Sequence, residues 1–308
     1  MRIGTRRSAL ALAQANLIAN LIGDCEIVPF VTTGDRESAA GIDPSAAGED
    51  KSRWVAELEQ ALLAGDVDLA VHSAKDLPGE LAEGLVLHGA PARAAPEDVI
   101  CGYGGLDALP QGARVGTSSI RRMAQLRAAR EDLDVIPIHG NVDTRLRKLA
   151  DGQDDLLAIV IARAGLQRLG RESGREGILD PTRFIPAPGQ GVLALEGRAG
   201  DQQVGEAVRA ITDASAFASL LAERALAWEL GASCHTPFGA WAEPEDEGSL
   251  RLRAWVGLPD GSVWATDELS GARAEPEQLG REVAVRLRGA GAAEMLRQAE
   301  EMAGVGSL

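Results

Sequence analysis

Chemically capable side chains are densest at the end of one short apolar segment, Val-Asp-Leu-Ala-Val-His-Ser-Ala-Lys-Asp-Leu-Pro, running from Val67 to Pro78. Leu69, Ala70 and Val71 are too few for a helix and are bounded by polar residues, the pattern of a strand buried on both faces. His72, Ser73, Lys75 and Asp76 follow at its carboxyl end, and Pro78 stops any regular continuation. In open α/β sheets ligands bind at that edge. On spacing alone, Lys75 and Asp76 are either a solvated charge pair worth little, with His72 a satisfied core histidine, or a site in which Asp76 is held in a cleft. A carboxylate so held can take a proton or stabilise a developing cation.

A second group lies at Gly116-Thr117-Ser118-Ser119, a strand-to-helix junction whose backbone N–H groups and hydroxyls can receive an anion. Arg121 and Arg122, just inside the helix, suit carboxylates or phosphates, unless the turn is a plain helix cap beside surface arginines. Arg6 and Ser8 form a matching pair after the first strand, and Arg145 and Arg168 stand on later elements able to face the same cleft. Lysine occurs only at 51, 75 and 148, so any anion site is built mainly of guanidinium forks, although a GC-rich genome gives the same bias. Arginines converging in a chain of net charge -15 point to a polyanionic small molecule, since nucleic acid would require a basic face. Cys25, Cys101 and Cys234 are odd in number, far apart and without metal-ligand spacing, so neither a structural disulfide nor a metal site is expected. Cys234 falls in a turn, where a thiol is either a small hydrophobe or a covalent anchor.

The elements that must position these groups alternate. Arg2-Ile3 opens a strand, Ser8 caps a helix carrying Leu10, Leu17, Ile18 and Leu21 as far as Gly23, and Glu26 to Val31 is a strand. From Thr32 to Ser52 the chain is polar and without periodicity, the pattern of a functional lid or of a disordered loop. Trp54, Leu58 and Leu62 mark a helix ending at Gly65. Arg114-Val115-Gly116-Thr117-Ser118-Ser119 then repeats the opening Arg2-Ile3-Gly4-Thr5-Arg6-Arg7, predicting a second lobe of the same topology. In it Leu133 to Ile138 is a strand, Asp143 caps a helix through Leu149, and Leu156 to Ala162 is a buried strand.

Segments near Pro91 to Pro96 and from Ile185 to Gly191 suit hinge crossings between the lobes, ahead of a strand at Val192 to Glu196. From Ala214 a helix lined by Phe217, Leu221, Ala225 and Trp228 leads to an antiparallel hairpin, Leu250 to Val256 returning at Val263 to Thr266. The expected fold class is α/β: two periplasmic-binding-protein-like lobes with a substrate cleft between them, plus a smaller α+β C-terminal domain. Residues 1-93 and 191-210 form lobe 1, 94-190 lobe 2 and 211-308 the C-terminal domain. No apolar run approaches the roughly 18 residues of a membrane helix, and the opening Met1-Arg2-Ile3-Gly4 has no signal-peptide core, so a cytoplasmic protein is expected.

Six motifs, in order, carry a resemblance: Val-His-Ser-Ala-Lys-Asp-Leu-Pro (71–78), Gly-Thr-Ser-Ser-Ile-Arg-Arg (116–122), Gly-Asn-Val-Asp-Thr-Arg-Leu-Arg-Lys-Leu (140–149), Ala-Gly-Leu-Gln-Arg-Leu-Gly (164–170), Pro-Gly-Gln-Gly (188–191) and Gly-Ala-Ser-Cys-His-Thr-Pro (231–237). Together they resemble the hydroxymethylbilane synthase family, also called the porphobilinogen deaminases, over essentially the whole chain. The resemblance implies a transferase of porphyrin and heme biosynthesis, a cytoplasmic monomer that joins four porphobilinogen molecules head to tail with release of ammonia. Its cofactor is a dipyrromethane built from the same substrate and attached through Cys234. By position, Asp76 and Lys75 are the catalytic pair. They also contact the cofactor, with Thr117, Ser118, Ser119, Arg121, Arg122, His139 and Arg145, while Arg6, Ser8, Arg145, Arg168 and Gln190 receive the substrate. No metal, nucleic acid or membrane is implied.

The chain departs from the family's pattern at two places. Members typically carry arginine before the Gly-Asn of the third motif, where this chain has His139, which has fewer donors and is only partly charged near neutral pH. A Gly-Gly-Lys-Gly-like run before an aromatic is replaced by Gly48-Glu49-Asp50-Lys51-Ser52-Arg53-Trp54, and a later lysine by Ala56. Looser holding of cofactor or intermediates is expected. The alternatives to a working enzyme are a degenerate, low-activity family member or a non-catalytic two-lobed anion-binding protein.

Overall fold

The structure, a computed structural model, describes residues 1–39, 55–233 and 236–302. The first lobe is assembled from β1 (Arg2–Arg6), α1 (Ala9–Ile22), β2 (Glu26–Phe30), α2 (Thr33–Ala39), α3 (Ala56–Ala64), β3 (Leu69–Ser73) and β4 (Leu85–Gly89). The chain then crosses to β5 (Asp98–Cys101), β6 (Arg114–Gly116), α4 (Ile120–Ala129), β7 (Asp134–Ile136), α5 (Val142–Ala150), β8 (Ala158–Ala162), α6 (Arg163–Arg168) and β9 (Gly177–Ile178). It returns through β10 (Leu193–Arg198) and α7 (Gln202–Ile211). The third unit follows: α8 (Ala214–Leu230), β11 (Phe238–Pro244), β12 (Ser249–Gly257), β13 (Trp264–Ala272), α9 (Pro276–Gly289) and α10 (Ala292–Met302).

The two larger sheets share one plan. Their strand orders are β2-β1-β3-β10-β4 and β7-β6-β8-β5-β9. β1 lies between parallel partners β2 and β3, and β6 between parallel partners β7 and β8. The repeated Arg-(Ile/Val)-Gly openings therefore occupy equivalent central strands. β10, arriving from the far lobe, runs antiparallel between β3 and β4, as β5 does between β8 and β9. The third sheet, β11-β12-β13, is antiparallel, and its core packs against α8, α9 and α10. This is the two-lobed α/β plan with a small α+β unit. Among the described residues no helix is long and apolar enough to cross a membrane.

Three local expectations are corrected. Thr33–Ala39 is helical: Thr32 and Asp35 exchange side-chain and backbone hydrogen bonds, closing a capping box at its start. Residues 40–54, with the rest of the expected lid and Trp54, lie outside the described residues. The cap of α5 is Asn141, whose side chain accepts from the Thr144 amide, so Asp143 sits inside the first turn. In α8 the buried face is Ala218, Ala222, Leu226 and Leu230 on the third core and Leu220 on the first lobe, while Trp228 is 54% exposed. That helix is apolar nearly all round, so its periodicity marks no single stripe.

Both crossings are tied to the third unit through one buried ion pair. Arg93 donates to both carboxylate oxygens of Glu223, to the Gln190 carbonyl and to the Ala242 carbonyl. Glu223, fully buried, also accepts from the Gly189 and Ala242 amides. Removing one member of such a pair strands the other charge in a low dielectric. Glu223→Gln should therefore lose about 3 kcal/mol or more of unfolding free energy in urea, and a change below about 0.5 kcal/mol, the scale of an exposed pair, would contradict this account.

Candidate active site

The four polar residues at the end of β3 and in the turn after it take different directions. His72, 5% exposed, puts Nε2 at 2.9 Å from Glu196 Oε2 on β10, so it is the satisfied core histidine. Ser73 exchanges a hydrogen bond with the Gln14 amide of α1, Nε2 to Oγ being 2.8 Å. The chain then tightens into a short 3-10 turn, Ala74–Asp76, anchored by the Ala74 amide on the Val192 carbonyl. Lys75 and Asp76 are thereby turned toward open space between the lobes.

Asp76 borders two cavities. The smaller, about 60 Å³, also takes Arg6, Ser8 and Gln14 as walls. The larger, about 700 Å³, has Lys75, Ser118, Ser119, Arg121, Arg122 and Arg145 on its walls. The lobes' equivalent junctions, after β1 and after β6, thus face one carboxylate from two sides. Ser233 and Thr236 also line the larger cavity and hydrogen-bond each other. Cys234, between them in sequence, lies outside the described residues.

The junction after β6 is a support more than an open anion cradle. Ser119 caps α4 by accepting from the Arg122 amide, Ser118 donates to the Ile138 carbonyl, and Thr117 is fully buried with its hydroxyl accepting from the Ser119 amide. Arg121 and Arg122 are buried, not surface, arginines: Arg121 Nη2 lies 2.7 Å from Asp98 Oδ2 and Arg122 Nε 2.9 Å from Asp98 Oδ1. Gln190, expected among the substrate-binding residues, is fully buried and gives its amide to Asp98 and the Pro96 carbonyl. Thr117 therefore braces the wall, while Gln190, so held, itself lines the larger cavity. Arg6 pairs with Asp35 on α2. Burial pushes the Asp35 carboxyl up, but the Arg6 hydrogen bond and charge, with Thr32, outweigh it and hold it below the usual range.

Desolvation dominates the remaining cations. It brings Lys75 down to about 8, helped by the Arg122 charge and opposed by Asp76 and Asp98. Arg145 is lowered to about 10 by burial and then Arg122, and Arg168 to about 10 by burial. Such groups gain most from an anionic ligand, which restores the charged form. Arg145 spends Nε on the Gly140 carbonyl beside the partly exposed His139, and Arg168 spends Nη2 on the Gly191 carbonyl at the hinge. The Nε atoms of Arg121 and Arg168 are buried without a hydrogen-bond partner among the described residues.

Sequence reasoning missed Gln14, Asp98 and Arg224. Asp98 was detectable, being a carboxylate at the head of an apolar strand, Asp-Val-Ile-Cys, where burial demands a partner. Gln14 sits on the buried face of α1 with Ala11, Ala15 and Ile18, another polar residue in an apolar stripe. Arg224, on α8, donates to the Gly79 carbonyl and lines the larger cavity; nothing in its spacing marks it.

Two α/β lobes and a carboxylate, Asp76, between cavities walled by desolvated cations define the class of site: a cleft suited to a carboxylated small molecule. The family model "Porphobilinogen deaminase, dipyromethane cofactor binding domain" matches residues 1–206, and "Porphobilinogen deaminase, C-terminal domain" matches 217–289. The porphobilinogen deaminase of Roseiflexus castenholzii is 44% identical over 303 residues, covering 96% of this chain and 98% of its own. That of Thermus thermophilus is 42% identical over 298 residues, covering 96% and 98%. The solved methionine binding protein MetQ is similar over 68% of this chain and 87% of its own, at 15% identity and a TM-score of 0.40. The chain belongs to the porphobilinogen deaminase family.

With only three lysines in the chain, amine labelling followed by peptide mass mapping can follow Lys75 alone. Its labelling rate should rise with a midpoint near pH 8, below the ordinary lysine value of 10.5. A midpoint at or above 10 would contradict the desolvated site.

Proposed function

We infer that this chain catalyses the hydroxymethylbilane synthase reaction, condensing four porphobilinogen molecules stepwise into linear hydroxymethylbilane with release of ammonia, as a transferase of porphyrin and heme biosynthesis. One observation carries the site assignment: Asp76 stands where cations from both lobes converge, Arg6 on one side and Lys75 and Arg145 on the other. A dipyrromethane fits what the larger cavity offers. The cavity volume is within the roughly 300–1,000 Å³ of small-molecule sites, and its wall holds desolvated cations and Arg121, whose Nε has no hydrogen-bond partner among the described residues.

Cys234 is assigned as the thioether anchor, supported by Ser233 and Thr236 on the cavity wall. When attached there, the dipyrromethane supplies the free pyrrole carbon to which rings are joined. Lys75, Ser119 and Arg145 are assigned to its acetate and propionate groups, with the Arg121–Arg122 wall behind them, and Arg6, Ser8 and Arg168 to those of the substrate. His139, next in sequence to Gly140, whose carbonyl Arg145 contacts, is assigned to the same set.

In porphobilinogen the aminomethyl C–N bond breaks and ammonia departs with the electron pair, leaving positive charge shared with the ring nitrogen. The Asp76 carboxylate stabilises that charge where it develops. The proton displaced when the new C–C bond forms is within the competence of the same group acting as a base. We assign residues 1-93 and 191-210 to the lobe carrying Asp76, 94-190 to the arginine-bearing lobe and 211-308 to the anchoring domain. A cytoplasmic monomer is proposed, in keeping with the free thiols of Cys25 and Cys101.

Intact mass of freshly purified protein should exceed that of the polypeptide by one dipyrromethane and grow by single pyrrole units on addition of porphobilinogen, with no adduct in Cys234→Ala. Asp76→Asn should keep the adduct yet lose roughly 10²–10³ in kcat. Bare polypeptide mass under every condition would favour a degenerate family member or a non-catalytic anion-binding protein.

A further inference from the structure

The larger cavity exposes one large aromatic side chain that the site described above leaves without a task. Trp228, in the last turn of α8, lines it at 54% exposure, whereas Phe238, the other aromatic on the wall, is buried. Arg224, one turn earlier, is a neighbour on the same face of the helix. Gly79, in the segment that follows Asp76, has an ordinary φ, so its backbone does not require glycine. A Cβ there would lie 2.9 Å from Trp228 Cε3 and 3.3 Å from Cζ3. The missing side chain makes room for one edge of the indole, and Arg224 Nη2 fixes the same residue by its carbonyl at 2.8 Å. Trp228 is therefore held by that edge against the segment that follows Asp76, where it lines the cavity and stays half exposed.

We propose that Trp228 is a stacking platform for a pyrrole ring of the lengthening chain, with Arg224 beside it receiving a carboxylate of that ring. The inference rests on the hydroxymethylbilane synthase reading and adds a subsite to it. A pyrrole is planar and electron-rich, and offset contact with an indole is favourable beyond the area buried. Each ring carries acids, and burial depresses Arg224 from its ordinary value although Glu196 supports it, so an arriving carboxylate restores the charge. An aromatic in the core would be covered, and Trp228 instead stands exposed on the wall of the cavity that Asp76 also lines.

The test compares Trp228→Ala, Trp228→Phe and Gly79→Ala with wild type, each shown by thermal melting to be folded, using porphobilinogen as the probe. Indole emission of wild type should change as substrate is added, and this change should be absent in Trp228→Phe. Trp228→Ala should raise KM roughly three- to tenfold with kcat less affected, and its intact-mass ladder should pile up at fewer added pyrrole units. Trp228→Phe should restore most of the KM, and Gly79→Ala, which displaces the indole without removing it, should shift KM in the same direction as Trp228→Ala. A Trp228→Ala protein with wild-type KM and mass ladder overturns the platform while leaving the reaction assignment intact. A wild type that never gains pyrrole units overturns both.

Discussion

The site depends on a carboxylate buried behind the cavity wall. Asp98, fully buried at the head of β5, accepts from Arg121, Arg122 and Gln190, so a helix of the second lobe and the returning crossing meet on its two oxygens. Burial alone would push its carboxyl up; Arg121 and Arg122 hold it well below the usual carboxylate range. Two guanidinium groups against one carboxylate leave the wall positive. Burying such a charge excess is costly unless a further anion completes it. The residual charge of Arg122 contributes to lowering both Lys75 and Arg145. The cations of this wall are thus already short of solvent before any ligand arrives.

A second buried carboxylate frames the same hinge. Glu223 receives Arg93 from the outgoing crossing and the Gly189 amide from the returning one, and ties both to α8 and β11. Cleft and third unit are consequently one problem in packing: the helix that carries Glu223 inward also carries Arg224 and Trp228 to the cavity and ends at Gly231, a left-handed cap before Cys234. Asp76 owes its position to the short turn after β3, whose strand is fixed on one side by β1 and on the other by β10.

Much of this was legible in the sequence. The alternation of elements, the repeated strand openings at Ile3-Gly4 and Val115-Gly116 and the two crossings followed from local pattern, because buried parallel strands and Gly-punctuated junctions leave short-range marks. Ser8 and Ser119 cap helices as their positions suggest. Illegible was the difference between an arginine that waits for a ligand and one already paired. Arg121 and Arg122 are tied to Asp98 from a different strand, and Arg6 to Asp35 of a helix that apolar periodicity alone did not reveal. Partners distant in sequence decide such roles, and spacing carries no record of them. α8 misled for a related reason: contacting two cores, it has no single apolar stripe from which to tell Trp228 apart.

The most direct test of the central role of Asp98 is Asp98→Asn, with Lys75 followed by amine labelling across pH in protein verified as native by circular dichroism. Asp98 raises the Lys75 value while Arg121 and Arg122 lower it, so removing the carboxylate's charge removes support from the ammonium. The midpoint should fall below the wild-type value near 8, with a loss of about 3 kcal/mol or more in stability as the two guanidinium groups lose their counter-charge. An unchanged or higher midpoint in a variant as stable as wild type would contradict the claim that this buried carboxylate sets the charge of the site.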